Sequence, residues 1–188
     1  MMKIGITGSL SSGKTTASKM LSFKRGPLFS ADKVVKKIYS TKKFKKIISN
    51  KFKIKSLQNI KKEIRNKILT NKSYIKRLEQ IIHPIVRKEM LKFSKKYEKK
   101  KFVFFEIPLL IESKLMKRFD VIFFIKAKRR TRLRRFKLKG GNEKLFQILN
   151  KRQLSVNKKI KFCDHIIVNN KNLSVLKKSL SDIINNYV

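Results

Sequence analysis

The residues Gly8-Ser-Leu-Ser-Ser-Gly13-Lys14-Thr15 stand close to the start of the chain in the spacing G-x-x-x-x-G-K-[ST]. Glycines in such a turn let the backbone curl until successive N–H groups converge, and a helix starting directly after it adds the positive end of its dipole. The segment is therefore suited to holding phosphate oxygens. Lys14 is predicted to reach the β- and γ-phosphates of a nucleotide and to act in catalysis, and Thr15 to ligate Mg²⁺. Gly8, Ser11, Ser12, Gly13 and Thr16 are predicted to add backbone or hydroxyl contacts. A chance match in a Ser- and Gly-containing turn is disfavoured by the order around it, because Lys3 to Thr7 reads as a short buried strand and Thr16 to Phe23 has helical spacing through Ala17, Met20 and Leu21.

A phosphate loop specifies a nucleotide but no reaction, so the acids that could stand near it matter next. Asp32 lies just past a second short strand, Leu28-Phe29, where P-loop kinases face their acceptor and a carboxylate can orient a hydroxyl and take its proton. The same residue before an apolar helix is an equally good N-cap. Glu106 ends an apolar run, Phe102 to Phe105, at a place where P-loop proteins present an acid toward Mg²⁺ or its waters; a solvent-facing carboxylate is the alternative. Glu112 could begin a loop contact or pair with a neighbouring lysine. Lys126 to Lys139 holds nine basic residues in fourteen and then breaks at Gly140 and Gly141. A lid of this kind folds arginines over the polyphosphate, and Arg135 is the first candidate, against the reading of a solvated basic helix.

The elements that must position these groups alternate. Further strands are expected at Phe102 to Ile107, Val121 to Ile125 and Ile166 to Val168, the first two being the near-continuous apolar runs of strands buried on both faces. A helix through Val34, Val35, Ile38 and Tyr39 should leave Asp32, and residues 44–97 look mainly helical. Their clearest stripe is Ile75, Leu78, Ile82 and Ile85, with Pro84 expected to end one helix and open the next and His83 at the corner. The tail from Leu173 to Tyr187 keeps helical period. This pattern predicts a single-domain, doubly wound α/β P-loop kinase fold with a parallel five-stranded sheet. A helical acceptor-binding insertion is expected over about 33–98 and a short lid over about 128–153.

The chain has 188 residues, and with 51 Lys and Arg against 11 Asp and Glu its net charge is +40. The lysines run from end to end among Ile, Asn, Phe and Ser rather than in one stripe, which favours compositional drift on solvated faces over a dedicated polyanion patch. No specific nucleic-acid or membrane partner is expected. Cys163 is the only cysteine and His83 and His165 the only histidines, so an internal disulfide is excluded and a structural zinc site is not expected. With no spanning run and no signal peptide, the expected location is cytoplasmic.

Taken in order, these segments resemble the dephospho-CoA kinase family over nearly the whole length. Ser30-Ala31-Asp32 is similar to the family's Asp-Ala-Asp, Glu79 through Val86 to its Leu-His-Pro segment, and Glu106-Ile-Pro108-Leu109-Leu110-Ile-Glu112 to its strand-end Asp-x-Pro-Leu-Leu-x-Glu. Arg152-Gln153 and Cys163 through Asn169 match its adenine-side and final-strand segments more loosely. The resemblance implies phosphorylation of the ribose 3′-hydroxyl of dephospho-CoA by ATP with Mg²⁺. It implies Asp32 as general base, and His83, Lys61 and Leu110 on the acceptor side together with Asp32. Ser30 departs from the family's first Asp, Ser11 from a common glycine, and Lys61 and Lys139 from usual arginines; lysine keeps the charge but loses the bidentate fork. Another small P-loop kinase, acting on a nucleoside monophosphate or a metabolite such as shikimate, is the nearest alternative. A nucleotide-dependent nucleic-acid-binding protein is the more distant one.

Overall fold

A computed structural model describes residues 1–54, 58–71 and 73–187. They form two compact units, Met1–Ser30 with Phe93–Val188, and Ala31–Lys92. The first unit contains five parallel strands, β1 (Met2–Gly8), β2 (Leu28–Ser30), β3 (Phe102–Glu106), β4 (Val121–Lys126) and β5 (His165–Val168), in the order β2-β3-β1-β4-β5. β3 and β4 flank β1 on either side, so the chain reverses its winding direction at β1. Ligands of open α/β sheets bind beyond the carboxyl ends of the strands at such a switch point.

The apolar runs form central strands because both faces are covered. Phe102 and Phe104 join Ile4, Ile6, Phe123 and Ile125 in a cluster with Ala17 and Leu21 of helix α1 (Lys14–Ser22) and Leu176, Leu180 and Ile184 of helix α9 (Leu173–Ile184). On the opposite face Phe105 meets the rings of Phe29, Phe93 and Phe119 with centroids 5.8, 5.9 and 5.4 Å away. Phe104 has no exposed surface. Its truncation to alanine is expected to lower unfolding stability by about 3–5 kcal/mol, measured by urea titration of wild type and Phe104→Ala. A loss well under 1 kcal/mol would contradict this account of the core.

After β4 the chain forms helices α6 (Arg129–Lys137), α7 (Glu143–Arg152) and α8 (Val156–Ile160). Gly140, at φ 79°, lets the chain turn back between the first two. Asn142 caps α7 by accepting the Leu145 N–H.

The second unit is helical: α2 (Ala31–Ser40), α3 (Lys42–Phe52), α4 (Ile60–Thr70) and, up to Lys92, α5 (Ser73–Lys96). Phe44, Ile48, Phe52, Ile60, Ile64, Ile68, Ile75 and Met90 are among its buried apolar residues. The helical expectation for residues 44–97 holds among the described residues; 55–57 and 72 lie outside them. Pro84 does not break the helix as expected, since α5 runs through it without a stop. The ring removes one N–H, and the carbonyl it would have met belongs to Gln80. Both residues are exposed, so water can take that carbonyl while Ile75 and Met90 on the buried side hold the helix together.

Candidate active site

β1 ends at Gly8 and α1 begins at Lys14, so the phosphate loop occupies the carboxyl end of the central strand as predicted. Gly13 has φ 97° and Ser11 φ 56°, both left-handed. At Gly13 a β-carbon would also run into the Asn169 side-chain amide, so glycine is required there for shape as well as for conformation. At Ser11 the departure from glycine has a conformational cost, about 1–2 kcal/mol for an ordinary residue held left-handed. Inside the loop Ser12 N–H donates to Ser9 O at 3.1 Å. Lys14 is 8% exposed, and its ammonium donates to the carbonyls of Ser9 (2.8 Å) and Gly8 (3.3 Å), curled over the loop.

Glu106 is buried and is joined at once to the start of α1 and to the end of β2. Thr15 Oγ1 donates to its Oε1 at 2.5 Å, and Ser30 Oγ to its Oε2 at 2.8 Å. The register explains this, because Glu106 pairs with Ile6 of β1 and Ser30 of β2. Ser30, where the resemblance has an acid, orients the Glu106 carboxylate and adds no charge. The predicted metal residues Thr15 and Glu106 thus come together as hard oxygen donors that suit Mg²⁺. Among the described residues no group of three or more His, Cys, Asp or Glu could hold a metal ion. A Mg²⁺ ion held by Thr15 and Glu106 would take its other ligands from nucleotide phosphates and water, as this ion commonly does.

The basic cluster divides by side. Arg129, Arg130, Arg134, Lys137 and Lys139 are exposed, whereas Arg132 and Arg135, three residues apart on one face of α6, turn to the phosphate loop. Arg135 Nη1 donates to Ser12 O at 3.2 Å and Nη2 to Asn169 Oδ1 at 3.5 Å. Arg132, 7% exposed, donates to Ala127 O at 3.2 Å, Asn150 Oδ1 at 2.7 Å and Leu10 O at 3.4 Å, and its guanidinium lies 5.6 Å from the Phe146 ring centre. Burial first, then a neighbouring arginine, lowers the pKa of both.

Two further side chains, from segments that the family resemblance matched only loosely, support the loop. Leu10 N–H donates to Gln153 Oε1 at 2.9 Å, and Asn169 Nδ2 donates to Ser12 O at 2.9 Å. Lys159, with no exposed surface, sits 2.6 Å from Glu112 Oε1, which also accepts the Leu154 N–H at 3.1 Å. Glu112 therefore takes the lysine pairing that was one of its two sequence readings, with a partner 47 residues away that spacing could not identify.

Leu110 is fully buried in the first unit, close against Gly5, so its side chain belongs to the core. Asp32, Lys61 and His83 belong to the second unit. Asp32 is within the first turn of α2, not before it, where the positive helix end favours a carboxylate. Lys61 is exposed, with its ammonium 5.6 Å from the Tyr39 ring centre.

Burial lowers the pKa of His83, with Glu79 opposing and Arg87 reinforcing the shift. The imidazole is neutral at pH 7. Because the unfolded chain binds that proton more readily, the contribution of His83 to stability is complete above its unfolded value of 6.5 and is lost as pH falls through the lower folded value. Wild type should accordingly lose more thermal stability between pH 7 and pH 5 than His83→Gln does. Parallel melting curves for the two proteins would refute this.

The family model described as dephospho-CoA kinase matches residues 2–174. The chain belongs to the dephospho-CoA kinase family. A dephospho-CoA kinase of Fusobacterium nucleatum is 34% identical over 188 residues, covering 96% of this chain and 95% of that protein. One from Bartonella quintana is 34% identical with 99% and 98% covered. Among solved structures, a dephospho-CoA kinase from Campylobacter jejuni superposes with a TM-score of 0.64 at 23% identity, covering 98% of this chain and 96% of that one. A shikimate kinase from Acinetobacter baumannii gives 0.55 at 15%, with 99% and 94% covered. Both likenesses speak for the P-loop kinase fold. The family expected from the sequence is borne out, and with it a kinase of the ATP phosphotransferase class.

Proposed function

We propose that this kinase moves the γ-phosphoryl group of ATP onto the ribose 3′-hydroxyl of dephospho-CoA to give coenzyme A. The observation that carries the reading is the junction of Thr15, in the first turn of α1, with Glu106 and Ser30 at the ends of β3 and β2, beside a complete phosphate loop, in a chain of this family. Backbone N–H groups of residues 8–15 hold the polyphosphate, with Ser11, Ser12 and Thr16 beside them. The Lys14 ammonium leaves the Gly8 and Ser9 carbonyls to follow the β- and γ-phosphates. Thr15 and Glu106 hold Mg²⁺, which supplies charge neutralisation on the phosphates. Arg135 gives up its contact with Ser12 O and turns its guanidinium to the charge that develops in transfer.

Asp32 takes the proton of the acceptor hydroxyl as its oxygen bonds to the γ-phosphorus; the bond from that phosphorus to the β–γ bridging oxygen breaks, and ADP leaves. In this reading residues 31–92 form the acceptor subdomain, with His83 and Lys61 binding the acceptor. Leu110 contributes by anchoring the loop after β3. An enzyme that draws on ATP and dephospho-CoA works in the cytoplasm. No helix among the described residues is long and apolar enough to cross a membrane.

Acceptor profiling tests the assignment. With ATP and Mg²⁺, ADP release should depend on dephospho-CoA and stay at background with AMP or shikimate. Turnover of either of those with none of dephospho-CoA would overturn it.

A further inference from the structure

The loop between Gly8 and Lys14 is not held in shape by its own hydrogen bonds alone. Its outward-facing peptide groups are taken up by side chains from distant parts of the chain: Leu10 N–H by Gln153, Leu10 C=O by Arg132, and Ser12 C=O by Asn169 and Arg135. The Ser12–Gly13 peptide depends most on this support. Gly13 lacks a side chain and sits at φ 97°, so little in the local chain prevents that peptide from rotating. Its carbonyl and N–H point in opposite directions, since a trans peptide is planar.

We propose that Asn169 is a positioning residue for nucleotide binding, fixing the Ser12–Gly13 peptide so that the Gly13 N–H faces the phosphates. Asn169 is suited to the task. It is 4% exposed and follows β5 directly, and its own N–H donates to Lys126 O at 2.7 Å, which ties its backbone to the sheet. Its Nδ2 lies against Gly13 and donates to Ser12 O, and its Oδ1 receives Arg135. One amide thereby orients a phosphate-binding N–H and holds the lid arginine beside the loop. When Arg135 moves to the phosphates, Asn169 remains as the donor to Ser12 O, and the loop keeps its shape through the reaction.

The inference rests on the kinase reading but not on the identity of the acceptor, so it is tested by nucleotide binding without one. Calorimetric titration of Asn169→Ala should show ATP and ADP affinities reduced about ten-fold, the loss expected for one buried hydrogen bond and a freed peptide, with KM for dephospho-CoA at saturating ATP within two-fold of wild type. A folded Asn169→Ala that binds ATP within two-fold of wild type would overturn the proposal. Should the alanine variant not fold, Asn169→Asp keeps the shape and removes the donor. A loss of ATP affinity that persists in about 1 M salt, where charge repulsion is screened, supports the positioning role. A loss that vanishes in that salt, or no loss at all, overturns it.

Discussion

Lys14→Ala is expected to lower kcat/KM for ATP by about 10³-fold or more, a larger change than loss of a single neutral donor, because a full positive charge leaves a water-poor phosphate site. The residue is 8% exposed and its ammonium already faces the loop, 2.8 Å from Ser9 O, so it has little distance to travel to the β- and γ-phosphates. The substitution also strips the Gly8 and Ser9 carbonyls of a donor. Lys14→Arg separates the two effects: it keeps the charge, but its broad planar head does not fit where a point charge did, and activity should remain below a tenth of wild type. Steady-state kinetics with varied ATP measures both. Wild-type kcat/KM in Lys14→Ala would mean that the loop does not bind the transferred phosphate.

Asp32→Asn should lower kcat by about 10²–10⁴-fold, the span attributed to a positioned general base. The amide matches the carboxylate in size but has no basic lone pair for the acceptor proton. Being in the first turn of α2, Asp32 also loses a favourable interaction with the helix end when neutralised, a few tenths of a kcal/mol to about 1 kcal/mol. That loss would appear in melting temperature, not in turnover. ATP affinity should stay within a few-fold of wild type, since the nucleotide is held by residues 8–15. A variant that keeps full kcat would assign proton removal to another group, and one that loses ATP binding in proportion would make Asp32 part of the nucleotide site.

Residues whose chemistry is local were legible in the sequence. The phosphate loop works through contiguous backbone, so Gly8 through Thr15 carried its whole signature, and the strands could be read because burial on both faces leaves unbroken runs such as Phe102 to Phe105. Glu106 was legible as a strand-end acid, but its hydrogen bond to Ser30 depends on the register of β2 against β3, which spacing does not encode. The lid shows the limit more sharply. Arg135 was named there as the first candidate, but among the nine cations nothing local separates Arg132 from its neighbours; the three-residue offset of the two matters only once the helix faces the loop. Gln153, Asn169 and Lys159 were harder still, since each acts across 47 or more residues through a single amide or ammonium. Pro84 misled for the opposite reason: a strong local signal was overridden because the freed carbonyl of Gln80 lies on an exposed side of α5.

Composition dominates the first impression of the chain and says least about the reaction. Among the described residues the buried lysines are Lys14 and Lys159, one over the phosphate loop and one paired with Glu112. Breaking the second pair leaves a buried charge without compensation, so Lys159 and Glu112 are better exchanged together than singly in any redesign.

Identification of the product tests the central claim most directly. Purified protein with ATP, Mg²⁺ and dephospho-CoA should yield ADP and an equal amount of a compound that coelutes with coenzyme A and shows one new ³¹P resonance of a ribose 3′-phosphomonoester. Lys14→Ala and Asp32→Asn under the same conditions should yield almost none. A wild-type protein that binds ATP yet leaves dephospho-CoA unchanged, or that places the phosphate elsewhere on it, would contradict the account.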